Sequence, residues 1–203
     1  MEEIHLFRTL ITKTCIMAIS DTINRLKEGN ERFVADKLAG KQQDSIRRKE
    51  LEAGQEPYAI VLSCADSRVV PELAFDTGLG ELFVLRVAGN VANTSTMASI
   101  EYAVAHCGSK LIVVLGHQSC GAVTAAIAGG DNGHNLNMLL AHVNPAIAAS
   151  ESGAAVNTVV KKNAELTGGE LAARSSIIGN AASSGKLKIM PAYYNLGSGV
   201  VDF

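Results

Sequence analysis

The sequence predicts an α/β fold, a single domain with a mostly parallel β-sheet flanked by helices, and three observations carry that expectation. Short apolar, β-branched runs bounded by turn residues, such as Ala59-Ile60-Val61-Leu62 and Leu111-Ile112-Val113-Val114-Leu115, read as buried strands of a parallel sheet. Segments with helical periodicity alternate with those runs, as strand–helix–strand crossovers require. The chain has 203 residues, 47% of them hydrophobic, enough to bury a sizeable core and far from a disordered composition. The formal charge of −2, with no long run of one sign, argues against nucleic acid as a partner. No stretch approaches the roughly 18 uninterrupted apolar residues of a membrane span.

Residues 1–19 read as an N-terminal extension, a loosely held arm or an interface helix. Leu10 to Ile19 is fairly apolar, but Glu2, Glu3 and Lys13 make it a poor signal peptide. Residues 20–203 form the domain. Ser20 or Asp21 can cap a helix, and Ile23, Leu26, Asn30 and Phe33 extend it to about Lys37. The polar segment from Gly40 to Gln55 reads as a short helix between loops, its Arg47-Arg48-Lys49 cluster a solvated face. Tyr58 to Ser63 is the first strand, and Pro71 suits the first turn of a short helix. Leu82 to Val87 is the second strand, Thr94 to His106 a helix, and Lys110 to Gly116 the third strand. Cys120 to Ala128 reads as a small-residue helix, and Gly129-Gly130-Asp131-Asn132-Gly133 as a loop. Helical patterns resume at Asn137–Ala149, Ala155–Leu166 and Glu170–Ser183. Leu187 to Tyr194 then pairs with Val200 to Phe203 across the turn Gly197-Ser198-Gly199, as a C-terminal edge hairpin.

Two stretches carry the chemistry: Cys64-Ala65-Asp66-Ser67-Arg68 after the first strand, and His117-Gln118-Ser119-Cys120 after the third. Ligands collect beyond the carboxyl ends of an open parallel sheet. There Cys64, His117 and Cys120 can converge on one point, with the Asp66 carboxylate nearby. Two thiols, an imidazole and a carboxylate form a zinc ligand set. Asp66 can reach either the metal or Arg68, whose guanidinium suits a bidentate hold on a carboxylate. A structural zinc site is usually closed by four Cys or His ligands, whereas a catalytic one keeps a position open for water, which then becomes a nucleophile near neutral pH. The alternative, buried cysteines beside a structural histidine, explains neither the shared strand-end placement nor the Asp-x-Arg. Cys15, Cys107, His5, His106, His134 and His142 read as structural. Four cysteines without regular spacing do not make a secreted disulfide framework, and no Cys-x-x-Cys suggests a redox pair. Gly129-Gly130 is not a phosphate loop, because no Gly-x-x-x-x-Gly-Lys follows.

At these residues the sequence resembles the β-class carbonic anhydrases. Cys-x-Asp-x-Arg, followed some fifty residues later by Gly-His-x-x-Cys-Gly, is the pattern of that family. The resemblance extends over roughly residues 20 to 203, through Arg86-Val87-Ala88-Gly89-Asn90, Ile100-Glu101-Tyr102-Ala103-Val104 and Ala192-Tyr193-Tyr194. It implies one Zn²⁺ per subunit, held by Cys64, His117 and Cys120. Asp66 would be a fourth ligand in a closed state, or, paired with Arg68, would orient zinc-bound hydroxide in an open one. The implied reaction is reversible hydration of CO₂ to bicarbonate and a proton, by attack of that hydroxide on carbon. Gln55 matches a glutamine that hydrogen-bonds substrate, and Phe83, Ala88, Tyr102 and Gly121 match pocket positions. In the family the pocket draws on two subunits, so a homo-oligomer, a dimer or dimer of dimers, is expected.

One departure bears on regulation. A subgroup governed by bicarbonate carries a Trp three residues before the first Cys. Here that position is Val61 and the chain has no Trp, although Arg86 matches the arginine of the anion pocket. The resemblance therefore implies an open site without a bicarbonate switch. Ala88 stands where Val is commoner and could loosen the pocket. Two further readings are another small cumulene as substrate, CS₂ or COS, and a non-enzymatic zinc assembly protein. Retention of Asp66 and Arg68 favours the hydratase. Cysteine usage places it in the cytoplasm, with organelle targeting left open.

Overall fold

The computed structural model describes residues 18–203. The roles read for His5, Cys15 and the N-terminal arm lie outside the described residues. Five strands form one sheet in the order β2-β1-β3-β4-β5: β1 (Ala59–Ser63), β2 (Leu82–Arg86), β3 (Leu111–His117), β4 (Lys188–Tyr194) and β5 (Val201–Asp202). The first four are parallel, and β5 runs antiparallel to β4 at the edge. All residues of β1 and β3 are buried, which is why both read as unbroken apolar runs rather than alternating ones.

Alternate residues of these strands serve the two faces. Ile60, Leu62, Ile112 and Val114 pack with Met97, Ile100 and Ala103 of α4 (Thr94–His106), Leu171 of α8 (Val156–Arg174) and Ile178 of α9 (Ser176–Ser183). Val61, Leu111, Val113 and Leu115 pack on the other face, with Leu26 of α1 (Ile19–Val34) and Phe75 at the end of α3 (Pro71–Ala74). From β1 the chain moves outward to β2, then recrosses to β3 on the opposite side of β1. That reversal is the topological switch where open α/β sheets place ligands, and its carboxyl end carries Cys64 and His117.

Several helix boundaries differ from the sequence reading, each for a local reason. Helix α1 starts at Ile19, with no side-chain cap, and ends at Val34 rather than Lys37; Asp36 then turns left-handed at φ 55°. In the polar segment, Asp44 caps α2 (Ser45–Glu50) by accepting the Arg47 N–H, and a 3₁₀ turn follows at Leu51–Ala53. The helix expected over Asn137–Ala149 is two, α6 (His134–Ala141) and α7 (Asn144–Ala148), because Pro145 suits the first turn of a new helix. Conversely, α8 runs unbroken through Gly168-Gly169, where the sequence suggested a stop. A Cβ on Gly168 would lie 3.3 Å from Ile189 Cγ2, so this glycine admits the sheet rather than ending the helix. The break comes at Ser175, whose hydroxyl accepts the Ile178 N–H and opens α9. The remaining helix, α5 (Gly121–Ala128), starts one residue after Cys120. Among the described residues, no helix is long and apolar enough to cross a membrane.

Candidate metal centre

Strand β1 delivers Cys64 from one side of the switch, while β3 delivers His117 and its following turn delivers Cys120 from the other. The three are buried, and their donor atoms all lie within 4.8 Å of one another. The Cys64 and Cys120 sulfurs are 4.0 Å apart, against about 3.8 Å for two thiolates on a tetrahedral zinc with Zn–S near 2.3 Å. His117 is fully buried, and its Nδ1 lies 2.9 Å from the Gln118 carbonyl oxygen. An Nδ1–H donated there leaves Nε2 as the lone-pair nitrogen, and Nε2 is buried with no hydrogen-bond partner. A bare imidazole nitrogen facing two sulfurs is costly unless a cation completes it. The donor set fits zinc.

Asp66 stands over this trio, Oδ2 3.9 Å from His117 Nε2. Arg68 holds both its oxygens, donating from Nε to Oδ1 at 2.9 Å and from Nη2 to Oδ2 at 2.7 Å, while its backbone N–H reaches Oδ1 at 3.0 Å. The Arg68 side chain thus holds the Asp66 carboxyl well below the usual carboxylate range, against the opposing effect of burial. The thiols are coupled. A hydrogen bond from Cys120 is the main reason the Cys64 thiol is pushed down to about 4, and Cys64 in turn drives Cys120 upward. Without a cation, the pair resists losing its second proton.

Backbone and side chains from further elements complete the setting. The Gly89 N–H points at Cys64 Sγ at 3.4 Å, and Arg86 clamps the Cys64–Asp66 loop by donating to the Cys64 carbonyl at 3.1 Å and the Asp66 carbonyl at 2.6 Å. Val91, Val123, Val143, Val159 and Val160 pack around the two cysteines and keep that side apolar.

The structure brings together Cys64, Asp66, Arg68, His117 and Cys120, with Ala88 beside Gly89 and Gly121 beside Cys120. A Cβ on Gly121 would meet nothing within 4 Å. It does not bring Gln55, Phe83 or Tyr102 to the same point. Gln55 precedes β1 and lines a surface groove with Arg48, Leu51 and Gly80. Cys64 follows β1 at its far end, five residues on, which is about 16 Å at the rise of a strand. Phe83 lies level with Ile60 on β2, its ring centroid 6.4 Å from that of Tyr102, and Tyr102 is 51% exposed. Among the residues read as structural, Cys107 is buried and unpaired, and His106 stacks on Tyr102. The sequence reading missed the Gly89 N–H, the clamp by Arg86, and two asparagines of α8. A glycine in the turn shortly after a strand was a visible cue for the first; nothing in the sequence marks the asparagines.

A buried Cys₂His set at the switch of a parallel sheet, with an arginine-held carboxylate above it, defines a mononuclear zinc enzyme of the α/β type. A family model described as "Carbonic anhydrase" matches residues 59–201. Carbonic anhydrase 2 of Mycobacterium tuberculosis is 42% identical over 180 residues, covering 86% of this chain and 87% of the relative. The carbonic anhydrase of Mycolicibacterium smegmatis is 38% identical, covering 87% and 89%. A Coccomyxa β-carbonic anhydrase, solved in complex with acetazolamide, superposes with a TM-score of 0.72 at 28% identity, covering 91% of this chain and 85% of that one. The chain belongs to the carbonic anhydrase family, in its β class, and is a zinc enzyme for the hydration of CO₂.

Proposed function

We propose that Cys64, His117 and Cys120 are the zinc ligands through which this chain interconverts CO₂ and bicarbonate, and that Asp66 and Arg68 are its catalytic pair. The observation that carries this is the partnerless His117 Nε2, buried between two sulfurs and 3.9 Å from Asp66. When bound, zinc supplies a Lewis acid that makes water nucleophilic near neutral pH. The protein's share is orientation. Asp66, kept ionised by Arg68, is an acceptor only, so it fixes the direction of the attacking water's O–H without taking its proton. Ala88 and Gly121 put no bulky side chain next to the ligands, which suits a small apolar substrate.

Gln55, Phe83 and Tyr102 fit this function only if they serve the site of a second copy. Gln55 and Tyr102 are exposed, Phe83 is half-buried, and their separation from Cys64 within one chain supports a homodimer, or a dimer of dimers, as the working enzyme. Three unpaired cysteines among the described residues suit a reducing compartment, so we place the enzyme in the cytoplasm; fractionation of cells carrying the tagged chain checks this. The test of function is stopped-flow CO₂ hydration at known zinc content, on the wild type and Asp66→Asn. The variant should keep its zinc and lose about 10²-fold or more in kcat/KM. Full activity of Asp66→Asn would remove Asp66 from the mechanism, and an inactive zinc-loaded wild type would defeat the hydratase reading.

A further inference from the structure

Two left-handed turns flank the ligands, one between His117 and Cys120 and one packed beside Cys64, and α8 grips both. Between His117 and Cys120, Ser119 holds φ 54°, a conformation that L-residues other than glycine and asparagine rarely keep unaided. Its N–H donates to Asn157 Oδ1 at 2.9 Å. Beside Cys64, Gly89 holds φ 73° and aims its N–H at the sulfur; its carbonyl accepts from Asn163 Nδ2 at 2.8 Å. Asn163 is 2% exposed, one polar side chain in an otherwise apolar contact of Val159, Val160 and Ala164 with the core. Between the asparagines, a Cβ on Gly116 would stand 2.9 Å from Val160 Cγ1, so α8 seats on β3 immediately before His117. Asn157, Val160 and Asn163 recur every three residues and share one stripe of the helix.

We infer that α8 sets the geometry of the zinc site, with Asn157 and Asn163 as positioning residues that act through backbone turns without touching the metal. Asn157 holds the Ser119 turn that fixes the bite of His117 and Cys120. Asn163 holds the Gly89 turn that keeps an N–H on the Cys64 sulfur, where it draws charge from the thiolate. Outer contacts of this kind orient ligands and tune the metal they hold.

The test is zinc affinity, measured by competition with a chromogenic chelator on the full chain, which does not depend on turnover. Asn157→Leu keeps the volume and loses the acceptor; it should bind zinc about 10–100-fold more weakly. Asn157→Asp keeps an acceptor oxygen and should bind close to wild type. In a Ser119→Gly background the left-handed turn needs no support, so adding Asn157→Leu there should have little effect. Wild-type affinity in Asn157→Leu, or an undiminished loss in the Ser119→Gly background, would overturn the role of Asn157. For Asn163, the sulfur-to-metal charge-transfer band of cobalt-substituted protein should shift in Asn163→Leu and stay in place in Asn157→Asp; an unshifted band in Asn163→Leu removes Asn163. The inference rests on the zinc reading. Wild-type protein that fails to hold zinc would defeat that reading, whereas equal affinity in wild type and Asn157→Leu, together with an unshifted cobalt band in Asn163→Leu, would defeat the inference alone.

Discussion

Asp66 is useful only as an anion, and Arg68 is what keeps it one. With the folded-state pKa lowered, the ion pair contributes stability above the ordinary carboxylate pKa and loses it only as pH falls through the lowered value. Arg68→Ala should therefore bring the titration of Asp66 in zinc-free protein back up to about 4, followed by ¹³C NMR of the carboxyl carbon. A midpoint that does not move would show that Arg68 is not the cause. Arg86 bears on regulation at the same scale. Two of its donors are engaged by the Cys64 and Asp66 carbonyls, and Val61, where an aromatic partner would stand, is fully buried in the core. Added bicarbonate should accordingly inhibit hydration without cooperativity, as a competing product does. A sigmoidal loss of activity, or a neutral-pH crystal with Asp66 on zinc and bicarbonate beside Arg86, would reverse this. Cys64, Asp66, Arg68, His117 and Cys120 were legible because the chemistry needs those side chains at short spacings after strands. The Gly89 N–H was only hinted at, because every residue but proline offers an N–H, and Asn157 and Asn163 left no mark because their side-chain amides act on backbone turns rather than on the metal.

Among elements, close approach settles what hydropathy patterns leave open. Gly168-Gly169 looked like a helix stop and is instead where α8 meets β4, while Pro145, easily read past inside an apolar run, divides α6 from α7. Strands β1 and β3 were read correctly because burial on both faces leaves an unbroken apolar signature. Helix α1 shows the same logic on the opposite face of the sheet. A Cβ on Gly29 would lie 1.9 Å from the Phe75 carbonyl oxygen, a backbone atom that cannot rotate away. One turn of α1 is further tied to the sheet edge by Asn30, which donates to the Ala74 and Gly199 carbonyls and accepts the Val201 N–H. Gly29→Ala should destabilise the protein by about 2–3 kcal/mol, the range for overpacking a tight contact. Its thermal midpoint should fall by roughly 5–10 °C. Zinc content should be unchanged, since α1 packs on the face away from α8. A midpoint equal to wild type would mean that α1 can slide at no cost.

At the scale of the whole molecule, one chain holds a complete donor set for the metal, while Gln55, Phe83 and Tyr102 stand apart from it. The sheet has two ends: Cys64 and His117 lie at one, and Gln55 at the other, a strand's length away. Rotamer changes do not span that distance, so Gln55 either serves the site of a second copy, as we propose, or reaches its own only through a larger rearrangement. The two possibilities separate in a mixing experiment. Gln55→Ala and Asp66→Asn are each expected to be strongly impaired as homodimers. If Gln55 serves the partner's site, a mixed dimer places both lesions on one site and none on the other. Random reassembly of equal amounts makes about half of all dimers mixed, and so restores about a quarter of the wild-type sites. If Gln55 acts within its own chain, every site of a mixed dimer carries one lesion and activity stays at the level of the parents. Refolding or subunit exchange of the two variants, followed by CO₂ hydration at fixed zinc content, reads out the difference. Recovery well above the parental sum establishes the shared site, and its absence confines catalysis to residues of one chain.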